Sequence, residues 1–479
     1  ALTAWISLWV IRGRVPLLTG SLESSQGILP LPTLAIQYDE VTWPLALAIA
    51  TVGLAVLLSD ASRAVEAGWV VWSGDLGLIA LGVAAVTAAT PATMLFAWTL
   101  VDGIELGMLL RQVRREDIRR SVLVFFTTNL LGSAAVIAGI LSAGAGLEFD
   151  QIPTQAQGFL LVAVGLRMGV FPLQVAFLHD VRYQRGQGTL LRLIPPAVSL
   201  ALLVHTASVQ TLPTLRGLML FFSVLSAVYG AIVWARVRDE LQGRIFWIIG
   251  TAGLAFSAAI QSHQRAALAW GLAMLYAGAY LFLASVRTRR LLPLSILSLL
   301  TITALPFTPT AAGMSLYQPF YLFLVLLPVA QVLLLVGYVR YMLQQTEPLT
   351  GVEPWVRVAY FIGLGLLPLT FIASVYLGPA LSSDSAPLWP LILMAAFAGL
   401  GVVAYRQKVS ISNQVFLQLD SIFSLRWAYT VVGWAFAAVG RLVAGVTFLL
   451  EGEGGVLWAL VFLAILVSVL GQVASGGGV

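Results

Sequence analysis

Ionisable side chains lie within or near apolar stretches long enough to cross a membrane, among them Asp102, Glu105, Arg167, Arg192 and His205. A charge inside a bilayer is costly unless it is paired or hydrated, so such a residue is a functional candidate. Asp102 and Glu105 are three residues apart and share one face of a helix. Arg167 lies in another stretch and can neutralise one of them across a helix interface. A hydrated pair on a proton path and a buried structural pair are both compatible with this pattern.

His205 and the basic residues narrow the possible proton chemistry. An imidazole titrates near neutral pH, so His205 is either a proton carrier or a hydrogen-bonded residue between helices. The sequence has a single lysine, Lys408, and every other fixed positive side chain is an arginine. Buried lysine can lose its proton, whereas arginine effectively cannot. Any mechanism that needs membrane-embedded lysines as proton carriers is therefore excluded.

The composition requires a membrane to position these groups. Of the 479 residues, 59% are hydrophobic and 10% are charged, whereas soluble domains carry about 25% charged residues. The chain is therefore expected to be an all-α polytopic protein of a lipid bilayer. Cysteine is absent and there are 3 histidines, which excludes disulfides, thiolate metal sites and haem or copper centres. No cofactor or metal is expected, and the net charge of +5 lies in short loops, which does not indicate nucleic-acid binding.

Apolar segments recur along the whole chain and predict about fifteen transmembrane helices. Their approximate cores are 42–59, 74–89, 93–110, 121–142, 158–178, 189–208, 215–235, 245–260, 266–286, 291–308, 320–338, 356–376, 388–404, 428–450 and 455–472. The first stretch, 1–11, is too short to span, and the sequence does not begin with Met. We therefore expect that sequence upstream of Ala1 is missing or removed.

Arginine-rich loops alternate with arginine-poor loops over about ten of these helices. Because positive residues accumulate on the cytoplasmic side, the basic loops are predicted to be cytoplasmic. Proline also interrupts several spans, most notably at Pro172 and at Pro306 with Pro309. Matched broken helices in two halves are typical of inverted repeats, although ordinary kinks remain an alternative.

Several segments together resemble the antiporter-like membrane subunits of respiratory complex I, membrane-bound hydrogenases and Mrp-type sodium/proton antiporters. The most specific is VAVGLRMGVFPLQVAFLHD from Val162, which resembles the family's broken seventh helix. MLFAWTLVDGIELGMLL from Met94 resembles the fifth helix, and ALPFTPTAAGM from Ala304 resembles the second broken helix. FLLEGEGGVLWALVFLAIL from Phe448 resembles the final helix of complex I-type members. The order and spacing of these segments carry the resemblance.

The resemblance implies two inverted five-helix repeats with two broken helices. It divides the chain into N-terminal helices (1–90, with the first helix missing), a first repeat (91–235), a second repeat (236–380) and C-terminal helices (381–479). It implies a prokaryotic cell-membrane location and translocation of protons or sodium ions within a multisubunit complex. The implied partners are other membrane subunits and a redox hydrophilic arm, while this chain has no redox or hydrolytic centre of its own.

The departures from the family pattern concern its charged membrane axis. Arg167 stands where the family has lysine, Gly278 stands where a second lysine is usual, and Gln174 replaces a histidine. Residues 291–338, around the second broken helix, contain neither an acid nor a lysine. The central lysine relay is therefore expected to be largely lost.

Three functional classes remain open. The chain is a translocating subunit with an altered path through Asp102, Glu105, Arg167 and His205, or a scaffold subunit that no longer pumps. The third class is the membrane subunit of an inorganic-carbon uptake complex, paired with a zinc-bearing soluble partner. A solitary transporter of organic solutes is disfavoured, because no span shows a charged binding cluster.

Overall fold

The computed structural model describes residues 1–406 with several gaps, and beyond residue 406 it describes Trp434 and Arg441. The gaps are 16–17, 23–33, 61–68, 113–115, 144–147, 150–151, 172–184, 210, 238, 287–290, 319–321, 344–352 and 378–388. The chain divides into two units, Ala1–Ser410 and Ile411–Val479. All of the elements below belong to the first unit.

The described part of the chain is a bundle of α-helices. They are α1 (Leu2–Ile11), α2 (Thr42–Asp60), α3 (Trp69–Val86), α4 (Pro91–Gln112), α5 (Glu116–Ala143), α6 (Thr154–Arg167), α7 (Arg185–Thr206), α8 (Pro213–Arg236), α9 (Glu240–Ile260), α10 (Gln264–Leu283), α11 (Leu292–Leu300), α12 (Leu326–Leu343), α13 (Pro354–Tyr376) and α14 (Trp389–Arg406). Among the described helices, 10 are long and apolar enough to cross a membrane. The prediction of a multi-pass, helical membrane protein is confirmed.

The hydropathy pattern located the helices well. Every predicted span up to residue 404 overlaps one helix, from α2 to α14. The predicted spans 428–450 and 455–472 lie outside the described residues, so the total of about fifteen stays a prediction. The stretch 1–11, which is too short to span, forms the short helix α1.

Three helices form the centre of the bundle. The apolar windows of α7, α9 and α10 are entirely buried, whereas those of α3, α4, α5, α12 and α13 are half buried or less. Buried helices with apolar residues on all sides are typical of a bundle core, and the half-buried helices have a second face that is exposed. Between α8 and α9 the backbones nearly touch, since a Cβ at Gly230 would lie 2.4 Å from the Gly250 nitrogen. Small residues permit this close packing in membranes.

A two-stranded antiparallel sheet precedes α2 and was not expected in an all-α chain. Strand β1 (Leu18–Leu22) pairs with β2 (Leu34–Tyr38), with Leu18 opposite Tyr38 and Leu22 opposite Leu34. A backbone hydrogen bond from Gln37 N to the carbonyl of Thr87, 2.7 Å long, ties β2 to the end of α3. Because the strands are short, their sequence pattern is a weaker signal than the long apolar runs that predict the helices.

Two helices, α6 and α11, end well before the end of their predicted spans. Helix α6 ends at Arg167, well before the end of the span predicted at 158–178, and Pro172 lies outside the described residues. Helix α11 ends at Leu300, and a non-helical segment that contains Pro306 and Pro309 separates it from a 3-10 helix at Ala311–Tyr317. Ala304 and Phe307 in this segment have positive φ angles of 55° and 68°, a conformation that no helix can include.

Candidate functional site

Asp102 and Arg167 form a buried ion pair between α4 and α6. The Arg167 Nη1 atom donates to Asp102 Oδ2 at 2.7 Å, and Nη2 donates to Asp102 Oδ1 at 2.6 Å. Two parallel hydrogen bonds of this length are the geometry in which guanidinium and carboxylate interact most strongly. The Arg167 side chain is 1% exposed and the Asp102 side chain is 7% exposed. The two charges therefore neutralise each other away from water.

Neighbouring helices fix the position of the arginine. The Arg167 Cζ atom lies 4.3 Å from the ring centroid of Trp98, one turn before Asp102 on α4. This cation–π contact adds to the stabilisation of a desolvated guanidinium. On the side of α5, Gly132 leaves room for the side chain, since a Cβ there would lie 2.9 Å from Arg167 Cγ. The Nη1 atom also points to the carbonyl of Asn129 at 3.4 Å.

The end of α6 places Arg167 at the helix terminus. Gly169 adopts a φ of 71°, and Val170 N donates to the carbonyl of Gly165 at 2.8 Å. These are the features of a glycine-terminated helix, which needs a residue without a side chain in the left-handed region. A cation in the last turn also interacts favourably with the negative end of the helix dipole. The glycine at position 169 thus ends α6 directly after Arg167, so that the guanidinium lies near the carboxyl end of the helix.

Glu105 lies on the same face of α4 and is 4% exposed. Its Oε2 atom is buried and accepts no hydrogen bond within the described part of the chain. The charges of Asp102, Arg167 and Arg192 act on it, the last from α7. The two carboxylates and two arginines form what we call the α4 cluster: Asp102, Glu105, Arg167 and Arg192.

His205 lies elsewhere. It is on α7, thirteen residues after Arg192, which corresponds to about 20 Å along the helix axis. Its ring stacks on Phe149, with centroids 4.3 Å apart and planes 7° apart. The structure therefore brings Asp102, Glu105 and Arg167 together and places His205 towards the other end of α7.

The second break is held by neutral hydrogen bonds. Gln331 of α12 donates from Nε2 to the carbonyl of Thr303 at 3.3 Å and accepts from the Tyr317 hydroxyl at 3.0 Å. Within the break, Thr310 Oγ1 donates to the carbonyl of Thr301 at 2.8 Å. Ser298 and the Tyr338 hydroxyl are 2.6 Å apart nearby. Amide and hydroxyl groups here satisfy the backbone that the interruption exposes.

The space beside Gly278 is filled by an aromatic residue. A Cβ at Gly278 would lie 2.7 Å from Nε1 of Trp247. The same indole nitrogen donates to the carbonyl of Met274 at 3.2 Å. Trp247 therefore occupies the space that a longer side chain at residue 278 would need.

Sequence reasoning missed one buried acid and the neutral polar pairs. Asp75 of α3 is 2% exposed and its Oδ1 atom accepts no hydrogen bond from the described residues. It lies inside the predicted span 74–89, and the rule that identified Asp102 could have identified it. Gln331 and Tyr317 carry no charge, and nothing in the sequence distinguishes them from other polar residues of spans. Gln174, expected at the histidine position, lies outside the described residues.

Three solved membrane assemblies contain chains of similar fold. A chain of the Mrp complex from Dietzia sp. has a TM-score of 0.75 at 14% identity, over 99% of this chain and 59% of that one. A chain of respiratory complex I from Thermus thermophilus with bound NADH has a TM-score of 0.62 at 17% identity, over 83% and 94%. A chain of the membrane-bound sulfane sulfur reductase, an archaeal respiratory membrane complex, has a TM-score of 0.61 at 14% identity, over 97% and 93%.

The present chain spans 59% of the length of the Mrp chain. No protein-family model and no curated protein sequence matches it. Identities this low establish the fold alone. The chain therefore has the antiporter-like fold that its sequence motifs indicated.

Proposed function

We propose that this protein is an antiporter-like membrane subunit of a multisubunit complex that translocates protons or sodium ions. The observation that carries the proposal is the α4 cluster, a group of buried charges in the interior of an antiporter-like fold. Such groups are expensive in a bilayer and mark ion pathways in membrane proteins. The fold supports the class of protein, and the cluster supports an ionic role for this chain.

Three members of the cluster have different chemical roles in this proposal. Arg167 keeps its charge at all relevant pH values, so it anchors Asp102 rather than exchanging a proton. Asp102 uses both oxygens to accept from Arg167. Glu105 keeps a buried oxygen without a hydrogen-bond donor from the described residues. We therefore assign proton exchange to Glu105.

We also propose that this protein has largely lost the central lysine relay. The chain has a single lysine, Lys408, and Trp247 closes the space beside Gly278. The second break is bridged by Gln331 and Tyr317, which carry no charge. Because neutral amides and hydroxyls cannot hold a charge as a lysine or a carboxylate can, we place proton exchange at the α4 cluster in the first half.

The same neutral half favours a second candidate, a scaffold subunit that keeps the fold and does not translocate. The α4 cluster would then be a structural ion pair with one neighbouring acid. The two candidates differ in one respect: only a translocating subunit needs Glu105 to gain and lose a proton.

The test is proton flux through the assembled complex in proteoliposomes, with Glu105→Gln compared with the exposed control Glu40→Gln. We expect Glu105→Gln to reduce flux about 100-fold or more, as for loss of a positioned proton-transfer group, with assembly unchanged. Wild-type flux in the assembled Glu105→Gln complex would instead establish the scaffold role. Asp102→Asn and Arg167→Ala extend the test to the ion pair.

We further propose partners, a location and an orientation for the chain. Other membrane subunits are the expected partners, with a redox hydrophilic arm as a further one, and the cell membrane is the expected location. The basic loops lie on the cytoplasmic side, as the arginine distribution predicts. The repeats are taken as 91–235 and 236–380, flanked by 1–90 and 381–479.

A further inference from the structure

A cavity of about 510 Å³ lies where α6 and α8 begin and α9 ends. Its polar lining consists of Thr154, Thr211, Arg216, Gln261 and Ser262. It is separate from the α4 cluster, none of whose residues lines it. A volume of this size falls in the range of small-molecule sites, about 300–1,000 Å³.

One side of the cavity favours an anion. Helix α8 begins at Pro213, and Arg216 lies in its first turn and faces the cavity. Neither α8 nor α6 has an acidic residue in its first turn. The first turn of a helix offers unbonded N–H groups and the positive end of its dipole, and a guanidinium adds a full charge suited to phosphate oxygens.

The other side requires a hydrogen-bond donor. Gln261 lines the cavity and is 6% exposed. Its Nε2 atom donates to the carbonyls of Leu316 at 2.8 Å and Ser257 at 3.1 Å. Its Oε1 atom is buried and accepts no hydrogen bond from the described residues. Buried acceptors are rarely left unpaired, so an occupant with a hydroxyl or ammonium group would complete this side chain.

The remaining lining is apolar and continues onto an exposed apolar surface of α8. Leu212, Leu220 and Ile260 line the cavity. Gly217 also lines it, and Phe221, one turn further along α8, is 58% exposed. Residues four apart share a helix face, so an acyl chain can leave the cavity along α8. A free inorganic anion would leave these apolar surfaces uncovered.

We propose that the cavity binds the headgroup of an anionic phospholipid with a hydroxyl-bearing headgroup, of the phosphatidylglycerol class. The phosphate lies against Arg216 and the first turn of α8. A glycerol hydroxyl donates to Gln261 Oε1, and the acyl chains follow the face of α8 that carries Phe221. The site is independent of ion translocation and holds for a scaffold subunit as well.

Gly217 permits a direct test. A Cβ at this position meets no atom within 4 Å, so the side chain of Gly217→Leu begins in open space beside the cavity. Gly399→Leu on α14 is the matched control, because a Cβ there also meets no atom within 4 Å. Arg216→Gln removes the charge, and Arg357→Gln removes another arginine near the start of a helix.

The measurement is native mass spectrometry of the delipidated protein in detergent, titrated with dioleoyl-phosphatidylglycerol or dioleoyl-phosphatidylcholine. We expect the first bound phosphatidylglycerol to be held about tenfold more weakly by Arg216→Gln, as for loss of a charge-assisted hydrogen bond. We expect a loss of similar size for Gly217→Leu, because its side chain occupies part of the cavity. Both controls should bind as the wild type does, and the wild type should prefer phosphatidylglycerol.

Undiminished binding by both Gly217→Leu and Arg216→Gln would overturn the proposal. Equal affinity of the wild type for the two lipids would also overturn it. A third arm adds inorganic phosphate in excess: displacement of the lipid would mean that the site binds a free anion instead. Circular dichroism checks that each variant is folded. If Gly217→Leu does not fold, lipid binding by Arg216→Gln alone decides the test.

Discussion

At the scale of single residues, the pair of Arg167 with Asp102 makes each charge depend on the other. Both side chains are buried, so removal of one leaves a charge in the interior without its counterion. The loss of one member of a buried pair typically costs about 3–5 kcal/mol, more than the pair contributes relative to an apolar replacement.

Asp102→Asn should therefore lower the free energy of unfolding by about 3–5 kcal/mol, because Arg167 stays charged. Denaturant-induced unfolding in detergent measures the change, and Glu40→Gln, at an exposed carboxylate, should lie within about 0.5 kcal/mol of the wild type. The double variant Asp102→Asn with Arg167→Gln should regain part of the loss. A double variant as unstable as the sum of both singles would show that the two residues do not act as a pair.

The charged residues were the part of the site that sequence could indicate. Asp102, Glu105 and Arg167 stand out because charges inside apolar spans are rare. Their pairing could be proposed, but the choice of Asp102 over Glu105 as the partner of Arg167 depends on how α4 and α6 are rotated. Gln331 and Tyr317 could not be identified, because a neutral polar residue in a span carries no such signal.

At the scale of elements, α5 supports the site by leaving a gap. Gly132 faces both the Arg167 side chain and the α6 backbone, since a Cβ at this position would lie 3.2 Å from the carbonyl oxygen of Ala163. Gly132→Ala should lower the free energy of unfolding by about 1–3 kcal/mol, as overpacking does. Gly107→Ala is the control, since a Cβ there meets no atom within 4 Å.

The same unfolding measurement separates two origins of that cost. If the methyl group acts on Arg167, the cost of Gly132→Ala should shrink when Arg167→Ala is already present, because contacting residues couple. An unchanged cost would assign the effect to the α5–α6 backbone contact.

The space around Gly278 gives a second prediction for elements. Gly278→Lys should destabilise the protein because the side chain meets Trp247 and adds a buried charge. Trp247→Ala in the same chain should relieve the steric part of the loss. Thermal unfolding in detergent checks both variants. Wild-type stability of Gly278→Lys alone would contradict the proposed role of Trp247.

Helix positions were predictable from hydropathy, whereas helix ends were less so. A run of apolar residues predicts a span, but it cannot distinguish a continuous helix from one that stops in the bilayer. Gly169 ends α6 in the structure, whereas Pro172 was the residue that predicted the interruption from the sequence. The β1–β2 sheet was missed because its strands are only five residues each.

At the scale of the whole molecule, the two halves differ in chemistry. The first half holds the α4 cluster, and the second break is bridged by uncharged groups such as Gln331 and Tyr317. A chain with its buried acids and arginines clustered in one half is better suited to act beside other subunits than to translocate ions alone. In the proposed function this chain therefore acts as part of a larger assembly.

Purification of the tagged chain from its native membrane, followed by identification of what remains bound, tests membership in that assembly most directly. We predict that further antiporter-like membrane subunits co-purify in stoichiometric amounts. A chain that purifies alone, or with only a zinc-bearing soluble protein, would contradict the account.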